Sequence, residues 1–366
     1  MNELQFLNNN TTENKIINFY SLYKVNLQYI KKIESFAVDR YYYKITNNAK
    51  IKKINNLIAE LELYIEAEKI KLDFDKLNGS IVFEISKKDR KMLFFEELNN
   101  NKMDGLTASI GKDINNNEIS IDITKTPHLL LAGSTGSGKS CILNNIIVSL
   151  LNKYNADKMQ MILVDIKQVE FTPYKNQKQL AIPTITNVEK TIDILNKMIV
   201  IMNHRYNTLS QKNYRNIEEY NQKEAEKMPF YVIVIDELAD LFAQSPDIEN
   251  ILCRLLQLGR ASGIHLILAT QRPDSQTISG KLKINIPTRL ALTVTNAHDS
   301  RTILNEAGAE KLTGKGDFLL KQANGETIRG QGAYINNIME VLNHEWKGFF
   351  EKWKNGKTRN KRGFAN

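Results

Sequence analysis

The segment GSTGSGKS, Gly133 to Ser140, constrains this chain more than any other. It fits G-x-x-x-x-G-K-[ST], the pattern of a loop that wraps phosphate. The apolar run His128 to Ala132 precedes it, and CILNNIIVSLLNK follows with helical spacing. Such a loop requires that context, a buried strand leading in and a helix leading out. Its glycines let backbone N–H groups turn inward around phosphate oxygens, and the helix N-terminus adds partial positive charge. In that geometry Lys139 reaches the β and γ phosphates of ATP, and the Ser140 hydroxyl binds Mg²⁺. The expected nucleotide contacts are Gly133, Ser134, Thr135, Gly136, Ser137, Gly138, Lys139, Ser140 and Cys141.

Two further strand ends carry chemistry. FYVIVIDELADL, Phe230 to Leu241, is an apolar run that ends in Asp236 and Glu237. Alone, an acidic pair after a strand reads as a helix cap and first turn. With a phosphate loop 97 residues upstream, Asp236 becomes the expected Mg²⁺ partner, reached through water. Glu237 is then placed to orient and deprotonate the attacking water. HLILATQRP, His265 to Pro273, ends in Thr270 and Gln271, and Gln271 is placed to sense the γ-phosphate. The segment after it, Arg272 to Pro287, carries Arg272, Lys281 and Lys283 and is expected to face a central channel.

The remaining sequence sets organisation. From Leu106 onward, the apolar runs HLLLA, MQMILV, FYVIVI, HLILA, TRLALT and DFLL alternate with helical patterns at Lys139–Asn152, Val188–Leu209 and Asp247–Ser262. That alternation predicts an α/β domain with a mostly parallel sheet over 106–336. Upstream, helical spacing over Ile51–Leu72 and Ile16–Val38 predicts a small, mainly helical N-terminal region at 1–78. A partial, strand-containing connecting segment follows at 79–105, with its strand at Ser80–Ser86. Residues 337–366 are expected to form one helix, Ile338–Lys354, and a basic tail.

Composition excludes several classes. Of 366 residues, 42% are apolar and 25% charged, which rules out a disordered chain. No run of about 18 apolar residues exists to span a bilayer, and the first residues lack the pattern of a secretion signal. Cys141 and Cys253 make no disulfide framework and point to a reducing, cytoplasmic setting. Five scattered histidines argue against zinc. The net charge is +9. Between Trp346 and Asn366, seven basic residues stand against Glu351 alone, which suits a polyanion as well as a solvated terminus.

Five ordered segments resemble the motor domain of the FtsK/SpoIIIE DNA translocases. They are Ile110–Ser140, Leu163–Phe171 (LVDIKQVEF), Val234–Leu241, Gly259–Pro273 and Asn285–Leu320. Phe83–Leu98 also resembles the end of the family's preceding domain, so the likeness covers about residues 80–336. It implies a RecA-like fold and a homo-oligomeric ring, usually a hexamer, that threads double-stranded DNA and moves it by ATP hydrolysis. It also implies an arginine from a neighbouring copy at each ATP site. Arg289, in NIPTR, is the first candidate, and Arg260 and Arg301 are the others. Asp165 and Lys167 match the family's strand-end DPK pattern, with Ile166 where proline is usual. The family's membrane anchor and separate winged-helix domain have no counterpart in these residues. The expectation is therefore a compact motor serving DNA transfer or segregation of a plasmid or integrative element. Two other readings stay open: a nucleotide-gated coupling protein that docks DNA, and a secretion-type ATPase moving protein.

Overall fold

The computed structural model describes residues 11–36, 38–75, 78–87, 91–98 and 105–342. The chain divides into two compact units, one of residues 1–92 with 112–117, the other of 93–111 with 118–366.

The first unit begins with helix α1 (Thr12–Leu22), and strands β1 (Leu27–Glu34) and β2 (Val38–Ile45) follow. Next come helices α2 (Ile51–Asn56) and α3 (Ile58–Ile65), then strands β3 (Ile70–Asp75) and β4 (Ser80–Ser86). The strands form one antiparallel sheet in the order β1-β2-β4-β3. Alternate residues of the central strands, Tyr41, Tyr43, Ile81, Phe83 and Ile85, pack with Ile16, Phe19 and Tyr20 of α1 and with Leu61 of α3.

Among its described residues the N-terminal region 1–78, expected to be mainly helical, thus holds three strands as well as three helices. The pattern read over Ile16–Val38 turns at Lys24, whose φ is +56°, and continues as β1. The pattern over Ile51–Leu72 breaks at Leu57 and ends at Glu66, also left-handed. Beyond it Ile70, Leu72 and Phe74 alternate, and pairing with β4 fixes them as a strand. The strand expected at Ser80–Ser86 is present, as an inner strand of this sheet.

Among its described residues the second unit is built on nine strands. They are β5 (Thr107–Asp113), β6 (Glu118–Asp122), β7 (His128–Ala132), β8 (Met159–Val164), β9 (Phe230–Ile235), β10 (Ile264–Thr270), β11 (Thr288–Leu292), β12 (Asp317–Lys321) and β13 (Thr327–Gly332). The sheet order is β6-β5-β13-β12-β11-β7-β10-β9-β8. From β11 to β8 every neighbour is parallel; β12 and β13 add antiparallel pairings. The parallel strands are apolar runs covered on both faces, as parallel sheets require.

The helices of this unit are α4 (Lys139–Lys153), α5 (Val188–Gln211), α6 (Ile217–Lys223), α7 (Leu238–Gln244), α8 (Ile248–Ser262), α9 (Gly280–Asn285) and α10 (Ala297–Leu304). α5 buries Leu195, Met198, Met202, Arg205 and Leu209, one stripe at three- and four-residue spacing. Arg205 donates to Ser262 O at 2.6 Å and to Pro229 O at 2.7 Å, which ties the end of α8 to the start of β9. Burial lowers its pKa to about 10. Among the described residues, no helix is long and apolar enough to cross a membrane. The expected tail, Trp346–Asn366, lies outside the described residues, as does the expected helix from 343 onward.

Candidate functional site

The site gathers where β7, β8, β9 and β10 end, the edge of a parallel sheet that ordinarily carries ligands. Gly133–Ser140 leaves β7 and enters α4. Gly138, with φ +107°, starts that helix, and a Cβ there would lie 2.5 Å from Gly316 N. Gly136, with φ +77°, has nothing within 4 Å of where a Cβ would be, so the loop is open on that side. The backbone is held from behind. Ser134 N–H donates to Thr293 O at 2.9 Å, and Gly316 N–H donates to Ser137 O at 2.8 Å.

Lys139 and Asp236 meet. Lys139 Nζ lies 2.5 Å from Asp236 Oδ1 and 2.7 Å from Asp236 O, and both residues are buried. The neighbouring Glu237 accepts on both oxygens. Oε1 takes the Thr270 hydroxyl at 2.5 Å and the Ala239 amide at 3.3 Å, while Oε2 takes the Gln271 amide at 2.8 Å. The Gln271 side chain in turn accepts from Thr135 Oγ1 at 2.8 Å. One chain of contacts therefore runs from the phosphate loop through Gln271 to Glu237. Pairing between β7, β10 and β9 brings these three segments together.

Around the loop, Ser140 Oγ donates to Glu170 Oε1 at 2.6 Å. Glu170 does not stand out in the sequence, although it lies within LVDIKQVEF. Asp165, at the end of β8, accepts the Glu170 and Phe171 amides on Oδ2. Its Oδ1 is buried and has no hydrogen-bond partner among the described residues. Lys167 pairs with Asp240 at 2.9 Å, and that contact raises its pKa. Burial, with the Glu170 carboxylate second, raises the pKa of the Cys141 thiol. Ser140 and Asp236 carry hard oxygen donors of the kind that Mg²⁺ takes.

The arginines differ. Arg289 is buried and its guanidinium is spent on its own chain. It donates to Ile286 O at 2.8 Å, Lys283 O at 2.9 Å and Ile303 O at 3.3 Å, a brace between β11, α9 and the last turn of α10. Arg260 and Arg301 are exposed. Of the basic residues expected near a channel, Arg272 and Lys281 are exposed, and Lys283 donates to Asn305 at 3.2 Å.

Residues 93–275, half of the chain, match the FtsK/SpoIIIE family. The chain belongs to that family. It is 39% identical over 336 residues to the DNA translocase FtsK of Clostridium acetobutylicum, a match covering 88% of this chain and 44% of that one. It is likewise 39% identical over 310 residues to the DNA translocase SftA of Bacillus subtilis, covering 81% of this chain and 33% of that one. The chain thus spans less than half the length of these curated relatives. Among solved structures, it is similar to the pCW3 conjugation coupling protein TcpA in a monomer form with ATPγS. There the TM-score is 0.66 and the identity 26%, over 91% of this chain and 98% of that one. It is also similar to the cytoplasmic domain of the type VII secretion ATPase EccC of Thermomonospora curvata. That match has a TM-score of 0.60 and 25% identity, over 68% of this chain and 33% of that one. These neighbours agree with the α/β phosphate-loop ATPase fold expected from the sequence.

Proposed function

We propose that this chain is an ATP-hydrolysing motor that moves double-stranded DNA. It works in the cytoplasm as a ring of identical copies, a hexamer, in transfer or segregation of a plasmid or integrative element. The observation that carries the reading is the meeting of Lys139 and Asp236 beside an open phosphate loop, in a segment that matches the family. The relatives named as DNA translocases support the cargo.

Little covalent chemistry falls to such a site, so position and charge carry the catalysis. The loop amides and Lys139 grip the triphosphate of ATP. Ser140 and Asp236 would hold Mg²⁺, which when bound neutralises charge on the β and γ oxygens. Glu237 orients the attacking water and accepts its proton. Gln271 reads the γ-phosphate. Because its backbone N–H donates to Glu237, its movement reaches both the base and the Arg272–Pro287 segment. Arg272 and Lys281 contact DNA phosphates, so binding is sequence-tolerant and falls steeply with salt. An arginine from a neighbouring copy is worth about 10³–10⁵ in rate in other nucleotide hydrolases. Exposure favours Arg301 or Arg260 for that role over the braced Arg289.

A second reading, a coupling protein that docks DNA without processive motion, is favoured by the likeness to TcpA, whose match covers nearly all of that chain. Displacement of a DNA triplex from linear duplex separates the two. ATP-dependent displacement supports the motor. DNA-stimulated ATP turnover without displacement supports the dock, and turnover stimulated only by a protein partner would point to protein cargo.

A further inference from the structure

We propose that Glu170 is a positioning residue for the metal-binding hydroxyl. It accepts the hydrogen bond of the Ser140 hydroxyl and so turns the Ser140 lone pairs toward where Mg²⁺ would sit. The inference rests on the reading of Ser140 as a metal ligand.

A serine hydroxyl carries one proton and two lone pairs. A metal takes a lone pair, so the proton must point elsewhere. Elsewhere on a helix a backbone carbonyl one turn back or solvent accepts such a proton. Here Ser140 Oγ donates to Glu170 Oε1 at 2.6 Å. An ionised acceptor makes that bond strong and leaves the hydroxyl oxygen more electron-rich, as partners of metal ligands do.

The carboxylate is itself built into place. Asp165 Oδ2 accepts the amides of Glu170 at 2.8 Å and Phe171 at 3.0 Å. Gln168, with φ +59°, turns the chain between them and β8. Phe171 and Tyr174 are fully buried, and the Tyr174 hydroxyl donates to Asn144 at 2.9 Å, on the helix that Lys139 and Ser140 begin. The segment is therefore anchored to the end of β8 and to α4, on either side of Glu170.

The test is binding of a fluorescent ATP analogue to the full chain, across a Mg²⁺ series and in EDTA. Wild type is compared with Glu170→Ala, Glu170→Gln, Ser140→Ala and the Glu170→Ala/Ser140→Ala double variant. Glu170→Ala is expected to raise the half-saturating Mg²⁺ concentration about tenfold or more and to leave the affinity in EDTA unchanged. Glu170→Gln keeps an acceptor oxygen and is expected to fall between Glu170→Ala and wild type. Adding Glu170→Ala to Ser140→Ala is expected to change nothing further, because the effect passes through the serine. An unchanged Mg²⁺ midpoint overturns the proposal. So does an equal loss in EDTA, which marks a purely structural segment, and so does full additivity with Ser140→Ala. A wild type whose nucleotide binding ignores Mg²⁺ removes the metal reading as well. Mg²⁺-dependent binding in wild type with an indifferent Glu170→Ala removes the role of Glu170 alone. If Glu170→Ala melts early, the near-isosteric Glu170→Gln carries the comparison.

Discussion

The lysine of the phosphate loop, Lys139, is buried and pairs with the buried Asp236 at 2.5 Å. Removing one partner of a buried pair strands the other charge, at about 3–5 kcal/mol. Lys139→Ala is therefore expected to abolish ATP turnover and to lower stability by about that amount. Lys139→Ala/Asp236→Asn should recover stability and not turnover; urea unfolding beside a phosphate-release assay reads both. Glu237→Gln is expected to block hydrolysis while nucleotide stays bound, and loss of binding in an equilibrium titration would contradict the base role. Arg289→Ala removes the guanidinium from three carbonyls, of which Lys283 O keeps the Ile286 amide at 3.4 Å, so its expected effect is a stability loss of about 3 kcal/mol. Arg301→Ala, at an exposed position, is expected to lose turnover with stability unchanged if it is the donated arginine.

At the scale of elements, strand type decides how much of the fold is legible in the sequence. Buried parallel strands are apolar on both faces, so β7, β9 and β10 announce themselves as runs that end where polarity returns, at Gly133, Asp236 and Thr270. Half-buried antiparallel strands do not. β1 (LQYIKKIE) mixes Ile and Tyr with polar residues much as α1 (TENKIINFYSL) does, and only pairing with β2 decides its state. Glu170 is silent in the sequence because no strand end or glycine marks it; its importance comes from the turn that Asp165 organises. The buried ends of β7 and β10 also set a pH response. His128 and His265 are kept neutral by burial, with pKa values lowered to about 3 and about 4 from 6.5. As pH falls below 6.5 the unfolded chain takes up these protons while the folded chain does not until near pH 4, so stability drops through that window. The urea midpoint is expected to fall between pH 7 and pH 5, and to fall less in His128→Gln. An identical fall in that variant would place the pH response elsewhere.

At the scale of the whole molecule, the proposed motor has to hold duplex as well as ATP. Contacts to phosphates release counterions, so DNA affinity is expected to fall linearly on a log–log plot against salt. Deleting Trp346–Asn366 removes a net charge of +6 and should reduce that slope while basal ATP turnover persists. An unchanged slope would make the tail a solvated terminus. The central claim is that Lys139 and Asp236 together grip one magnesium–triphosphate group so that its hydrolysis can move DNA. The most direct test is ATP turnover by the purified chain with and without linear duplex, beside Lys139→Ala. The account predicts turnover that duplex stimulates and that the variant lacks under both conditions. A chain that ignores ATP, or a variant that hydrolyses it at the wild-type rate, would contradict it.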